Sequence, residues 1–329
     1  MLPEMAVEVD QLNKSFTTWW GRTTPSLISI DLHVRRGTVH GFLGPNGAGK
    51  STTIRALMGL TRCNGRMRVF GHEVPEHLPR VIHRVGAIVE RPRFPTEFSG
   101  YRNLRHLAGS LGLPNREIGR VLDICDLNSA AHIRYGAYSL GMKQRLAIAA
   151  ALLTEPDLII LDEPTNGLDP QGIRHMRQLT RRLADEGRTV LISTHLLAEV
   201  EQIADDITIV NGGRTVAAGS LDAFAGGRQR WRLTLAAHEA SASVAQQTLQ
   251  QRGWQVVPEG GALIVLGDEP GYAITQTLTA AGLWVESLTP ISTGLEETFL
   301  QLTAPGVRPG ELPPTPITSS TNPHHGSLR

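Results

Sequence analysis

The chain has 329 residues, 40% of them hydrophobic, with 32 basic residues against 31 acidic ones and a formal net charge of +1. That length supports two domains with substantial cores, and the balanced charge gives no bulk electrostatic reason to expect nucleic acid as the main partner. The longest apolar run, residues 146–153, is far short of the roughly 20 residues that span a bilayer, and Met1-Leu2-Pro3-Glu4 lacks the basic and apolar regions of a secretory signal, so the expectation is a chain that does not cross a membrane.

Residues 6–9, 27–34 and 39–43 are short alternating or apolar runs and read as sheet. Between the first two lies the loop Phe16-Thr17-Thr18-Trp19-Trp20-Gly21. A flat aromatic face can stack on a purine base whatever the base's hydrogen-bond pattern, and Phe16, Trp19 and Trp20 are all candidates for that role or for covering a sheet edge. The stretch Gly44-Pro45-Asn46-Gly47-Ala48-Gly49-Lys50-Ser51-Thr52 matches G-x-x-x-x-G-K-[ST] at every fixed position, between a buried strand and a helix beginning near Lys50. Such a loop meets a triphosphate with main-chain N–H groups. Gly44, Gly47 and Gly49 allow the tight bend and positive φ, and the helix N-terminus supplies favourable dipole. Lys50 would reach the β and γ oxygens, and the Ser51 hydroxyl would take a position on Mg²⁺, a hard ion that prefers oxygen.

Residues 66–70 and 85–89 are further strand-like runs, the second leading to Glu90. From Ser99 to Leu153 the pattern turns helical: Leu104, Leu107 and Leu111 share a face, Ile118, Val121 and Leu122 repeat the spacing, and Asn115 stands in a capping position. A helical insert, about 97–155, thus separates two parts of the sheet. Cys63 and Cys125 stand alone without metal-ligand spacing and read as reduced thiols. Next, Leu158-Ile159-Ile160-Leu161-Asp162-Glu163-Pro164 runs four apolar residues into two carboxylates at the C-terminal edge of a parallel sheet, where such folds place ligands. Asp162 would hold Mg²⁺, and Glu163 could polarise a water in line with the γ-phosphate. The strand at 189–193 ends at Thr194-His195. A histidine there could touch the γ-phosphate, although a lone histidine usually has no such task.

These pieces together resemble the ATP-binding subunit of an ATP-binding-cassette (ABC) transporter over roughly residues 5–225. Tyr138-Ser139-Leu140-Gly141-Met142-Lys143-Gln144-Arg145 looks like the family's signature, Asn166-Gly167-Leu168-Asp169-Pro170 resembles its D-loop, and His195 occupies the switch-histidine position. The resemblance implies ATP and Mg²⁺ as ligands. It also implies that Ser139 and Gly141, with Asp169, serve the nucleotide site of a second copy, so that two cassettes sandwich two ATP molecules; Ser139 and Gly141 precede a helix expected over residues 142–153, whose N-terminus can offer backbone donors. Two departures stand out: the usual L-S-G-G-Q has Leu140 and Met142 in place of a glycine and the glutamine, and the loop usually marked by Gln carries Glu90, which could still offer oxygen to Mg²⁺ or a water. Both resemble the bacitracin-export and lantibiotic-immunity branch.

The expected fold is therefore α/β, a P-loop cassette with a mixed-sheet core over residues 1–228. A small α+β ferredoxin-like domain is expected at 229–303, from the order strand, helix, hairpin across Glu259-Gly260-Gly261, helix, strand, with a short closing helix at 295–300. The proline-rich residues 304–329 read as a disordered tail. The resemblance implies an ATPase working with a membrane-spanning permease, as a homodimer on the cytoplasmic face of the cell membrane, in antibiotic or peptide export. The alternatives are a soluble cassette acting on ribosomes or DNA, disfavoured by a single cassette without sustained heptads or a basic tail, and an importer subunit.

Overall fold

The structure, a computed structural model, describes residues 4–17, 19–89, 93–225, 230–236, 239–267, 270–291 and 299. Strands β1 (Met5–Thr17) and β2 (Thr23–Arg35) form a long antiparallel hairpin, followed by β3 (Val39–Leu43). Helix α1 (Lys50–Leu57) leads to β4 (Asn64–Val69), which returns antiparallel to β1, and to β5 (His72–Glu73). A short α2 (Leu78–Val81) precedes β6 (Val85–Ile88), and the helical insert supplies α3 (Gly100–Ser110), α4 (Arg116–Ile124) and α5 (Leu140–Ala151). The sheet resumes with β7 (Leu158–Asp162), then α6 (Pro170–Asp185), β8 (Thr189–Thr194), the single turn α7 (Leu197–Val200), the hairpin β9 (Asp206–Asn211) and β10 (Arg214–Ser220), and α8 (Leu221–Ala225).

These strands make one ten-stranded mixed sheet in the order β5-β4-β1-β2-β10-β9-β3-β8-β7-β6. From β9 to β6 every neighbouring pair is parallel. Strands buried on both faces have no reason to alternate, which is why β3, β7 and β8 are nearly continuous apolar runs. Alternation survives in which core each side chain enters. Ile159 and Leu161 of β7 pack with Leu104, Leu146 and Leu179 from the insert and α6, while Leu158 and Ile160 pack with Ile54 of α1 and Leu32 of β2.

Local details depart from the sequence expectations. Phe16 lies not in a loop but at the end of β1, opposite Thr24. Asn115 occupies the N-cap of α4 without a side-chain cap bond, and Leu111 is exposed just past α3. Helix α5 starts at Leu140, ahead of Met142, because the Ser139 hydroxyl accepts the Met142 N–H at 3.2 Å and caps it; Gly141 therefore lies in its first turn rather than before it.

A second sheet follows: β11 (Arg230–Leu235), α9 (Glu239–Gln251), β12 (Gln255–Glu259), β13 (Ala262–Leu266), α10 (Gly271–Ala280) and β14 (Val285–Ile291). Its order is β12-β13-β11-β14, with all neighbours antiparallel. Gly260 and Gly261, both at positive φ, make the two-residue hairpin turn. Leu233, Leu249, Trp254, Val265 and Ile274 form its own core. The expected closing helix at 295–300, apart from Phe299, and the tail at 304–329 lie outside the described residues.

Candidate functional site

Strands β3, β8 and β7 lie side by side, so the segments leaving their C-terminal ends converge. The loop after β3 bends where three glycines make it possible, though not all for one reason. Gly47 and Gly49 have φ of 82° and 109°. Gly44 does not need positive φ; a Cβ there would lie 2.3 Å from the carbonyl oxygen of Val210, so what it provides is close approach to β9. Residues 46–52 line a cleft of about 200 Å³ together with Ser26 and Glu163. Lys50, the first residue of α1, is 5% exposed, and its ammonium donates to the carbonyls of Gly44 at 2.7 Å and Pro45 at 3.4 Å.

Asp162 ends β7, and at Glu163 the chain turns out of the sheet with φ 47°. The Glu163 carboxylate then lies between two cationic or titratable groups. Its Oε1 is 3.2 Å from Lys50 Nζ, and its Oε2 is 2.9 Å from His195 Nδ1. Ser193, fully buried in β8 and directly opposite Asp162, donates its hydroxyl to Asp162 Oδ1 at 2.5 Å and accepts the Glu163 N–H at 3.0 Å. Lys50, Asp162, Glu163 and His195 are thus joined in one hydrogen-bonded set. The sequence reading missed Ser193. Its only signal was a hydroxyl near the end of an otherwise apolar strand.

The strand beneath the loop is secured separately. His40 of β3 is wholly buried with Nε2 2.9 Å from Thr208 Oγ1, and burial, followed by the nearby Arg35 and His33, pushes its pKa down to about 3. Arg35 holds Asp206, at the start of β9, with two hydrogen bonds of 2.6 and 2.7 Å.

Other expected site residues lie elsewhere. Ser139, Gly141 and Asp169 line a different cleft, of about 400 Å³, which shares no residue with the first. Asp169 caps α6, accepting the Gly172 N–H at 2.9 Å. Phe16 is 51% exposed under the Lys14 ammonium, and neither it nor the exposed pair Trp19 and Trp20 lines the phosphate-loop cleft. Glu90 lies outside the described residues.

Comparison with known proteins supplies the family. Residues 27–166 match the family described as ABC transporter. An uncharacterized ABC transporter ATP-binding protein, YcbN of Bacillus subtilis (strain 168), is 36% identical over 296 residues, covering 89% of this chain and 96% of that protein. This chain belongs to the ATP-binding proteins of the ABC transporter family. The bacitracin transport ATP-binding protein BcrA of Enterococcus faecalis is 41% identical over 219 residues, 66% of this chain and 70% of that protein. A solved structure of the ATP-binding subunit of an ABC transporter superposes with a TM-score of 0.58 at 32% identity, covering 67% of this chain and 91% of that one. The ten-stranded mixed sheet with its helical insert is accordingly an ABC ATPase cassette. Among the described residues, no helix of this ABC ATP-binding protein is long and apolar enough to cross a membrane.

Proposed function

We propose that this chain is the ATP-hydrolysing subunit of an ABC exporter, driving a separate membrane-spanning permease from the cytoplasmic face of the membrane. The observation that carries the hydrolytic part is the placement of Glu163 against both Lys50 and His195, at 3.2 and 2.9 Å. A carboxylate at the mouth of a phosphate cradle can accept a proton from an attacking water, and a histidine in contact with it can orient both base and γ-phosphate. Gly44 to Thr52 would hold the triphosphate by backbone donors, with the Lys50 ammonium on its outer oxygens. Phe16 remains the proposed adenine partner, and Glu90 a further polar contact beside the γ-phosphate.

Mg²⁺ fits this donor set. Ser51 lines the cleft, and among the described residues the Ser193 hydroxyl bonds one oxygen of the Asp162 carboxylate, whose second oxygen would be available to an ion. Ser51, Asp162 and Glu90 would hold it, and it would offset charge on the phosphates.

The separate cleft of Ser139, Gly141 and Asp169 supports a homodimer in which each copy roofs the other's nucleotide. The Ser139-capped N-terminus of α5 offers backbone donors for that purpose. Likeness to a bacitracin transport protein, and the S-L-G-M-K-Q-R signature, support antibiotic or peptide export. In this reading the cassette spans residues 1–228. The βαββαβ order with sheet order β12-β13-β11-β14 supports a ferredoxin-like unit at 229–303, serving dimer contact or regulation.

The test is Glu163→Gln in the full chain, assayed with its permease. ATP turnover should fall by about 10²–10⁴-fold while nucleotide binding persists and an ATP-bound dimer accumulates on size exclusion. Turnover at the wild-type rate would remove Glu163 from the mechanism.

A further inference from the structure

Among the described residues, two side-chain hydrogen bonds join the segment after β7 to the segment after β8. One is Glu163 with His195. The other lies deeper: Thr165 Oγ1 donates to Glu199 Oε2 at 2.6 Å, and both residues are 3% exposed. Thr165 is two residues beyond Glu163, in the turn that also bonds the Asn166 N–H to the Glu163 carbonyl at 3.2 Å. Glu199 is four residues beyond His195, on the single turn of α7. The buried pair therefore spans the same two segments as the half-buried one, a short step further along each chain segment.

A carboxylate out of water is costly unless its oxygens are satisfied, and a well-packed apolar pair of similar shape is often no less stable. Glu199 Oε1 is buried with no hydrogen-bond partner among the described residues, so this group is not placed where stability alone would put it. Glu163 meanwhile holds φ 47°, a conformation that a residue with a Cβ keeps only when its surroundings restrain it. Ser193 restrains it on the strand side. The bond from Thr165 to Glu199 is the corresponding restraint on the side of the turn.

We infer that Thr165 and Glu199 are positioning residues for ATP hydrolysis: their buried hydrogen bond fixes the spacing of the two segments and so keeps Glu163 and His195 in register. This rests on the role proposed for Glu163. Neither residue lines the phosphate-loop cleft, so the effect should fall on turnover and spare binding.

The full-length chain is assayed for steady-state ATPase activity, for binding of the fluorescent analogue MANT-ATP, and for thermal unfolding. Thr165→Val, which keeps shape but removes the donor, should lower kcat by about 10- to 100-fold with KM and MANT-ATP affinity within about three-fold of wild type. Thr165→Ser, which restores the hydroxyl, should recover most of kcat. Combining Thr165→Val with Glu199→Leu should cost no more than about two-fold beyond the worse single variant, since both remove one contact. A kcat near wild type in whichever of Thr165→Val and Glu199→Leu folds, or a Thr165→Ser chain as slow as Thr165→Val, would overturn the inference, as would a failure of both to fold. Glu163→Gln run alongside separates the two ideas: if it is inactive while Thr165→Val is unaffected, only the positioning role falls.

Discussion

Glu163 is held by Lys50, at the start of α1 after β3, and by His195 and the Ser193 hydroxyl, both at the end of β8. Lys50, Asp162 and Glu163 were legible in the sequence because each stands in a motif next to a recognisable strand, and His195 only through the resemblance to the family. Ser193, Thr165 and Glu199 were not, because they act across the sheet on residues about 30 positions away, where local pattern carries no information. At this scale, Lys50→Met should weaken MANT-ATP binding by at least about ten-fold, as read by fluorescence titration, since it removes the cleft's buried ammonium. His40 gives a pH prediction. Its pKa lies near 3 in the folded chain and at about 6.5 in the unfolded one, so between those values the unfolded chain binds the extra proton. Its contribution to stability is therefore complete above about pH 6.5 and is lost progressively as pH falls toward 3. Urea unfolding from pH 7 to 5 should show that loss, and His40→Gln should flatten it.

Among the elements, β3, β7 and β8 could be read from their apolar runs because burial on both faces leaves a sequence no polar positions to interrupt the signal. The tip of the β1–β2 hairpin was harder. Its aromatics suggested a loop, yet Phe16 pairs across the sheet, because exposed hairpin ends need no buried face to hold their register. The start of α5 was misjudged by two residues for a different reason, since the leucine and glycine after Ser139 look like loop until the serine hydroxyl is seen to close the first turn. The loop after β3 is sensitive to one added methyl group. Gly44→Ala would put a Cβ 2.3 Å from backbone oxygen, so β9 or the loop must move. The expected outcome is a melting temperature lower by several degrees together with weakened MANT-ATP binding, whereas Gly109→Ala, with open space around it, should leave both unchanged.

In the whole molecule, the core of the second sheet, Leu233 to Leu278, shares no residue with those of the first, but Phe299 packs against the first-sheet residues Leu43, Val200, Ile207 and Ile209. A chain ending at residue 228 is therefore expected to keep a cooperative unfolding transition and MANT-ATP affinity within about three-fold of the full length, at a melting temperature lowered by the loss of Phe299, measured by calorimetry and titration. The C-terminal strands could be read from the sequence because each is short and Gly253, Gly261, Gly267 and Gly282 separate the later ones. Nothing there revealed a task, since its cohesion comes from packing and, among the described residues, it gathers no cluster of reactive side chains. The two clefts of the first sheet have the larger implication. If each waits for its complement on another copy, damage can be shared out between copies. A chain crippled at Lys50 and one crippled at Ser139 would each be silent alone, yet when mixed they would build one undamaged site in every unlike pair. Random mixing in equal amounts would revive about a quarter of all sites, a rescue no independently working subunit could produce.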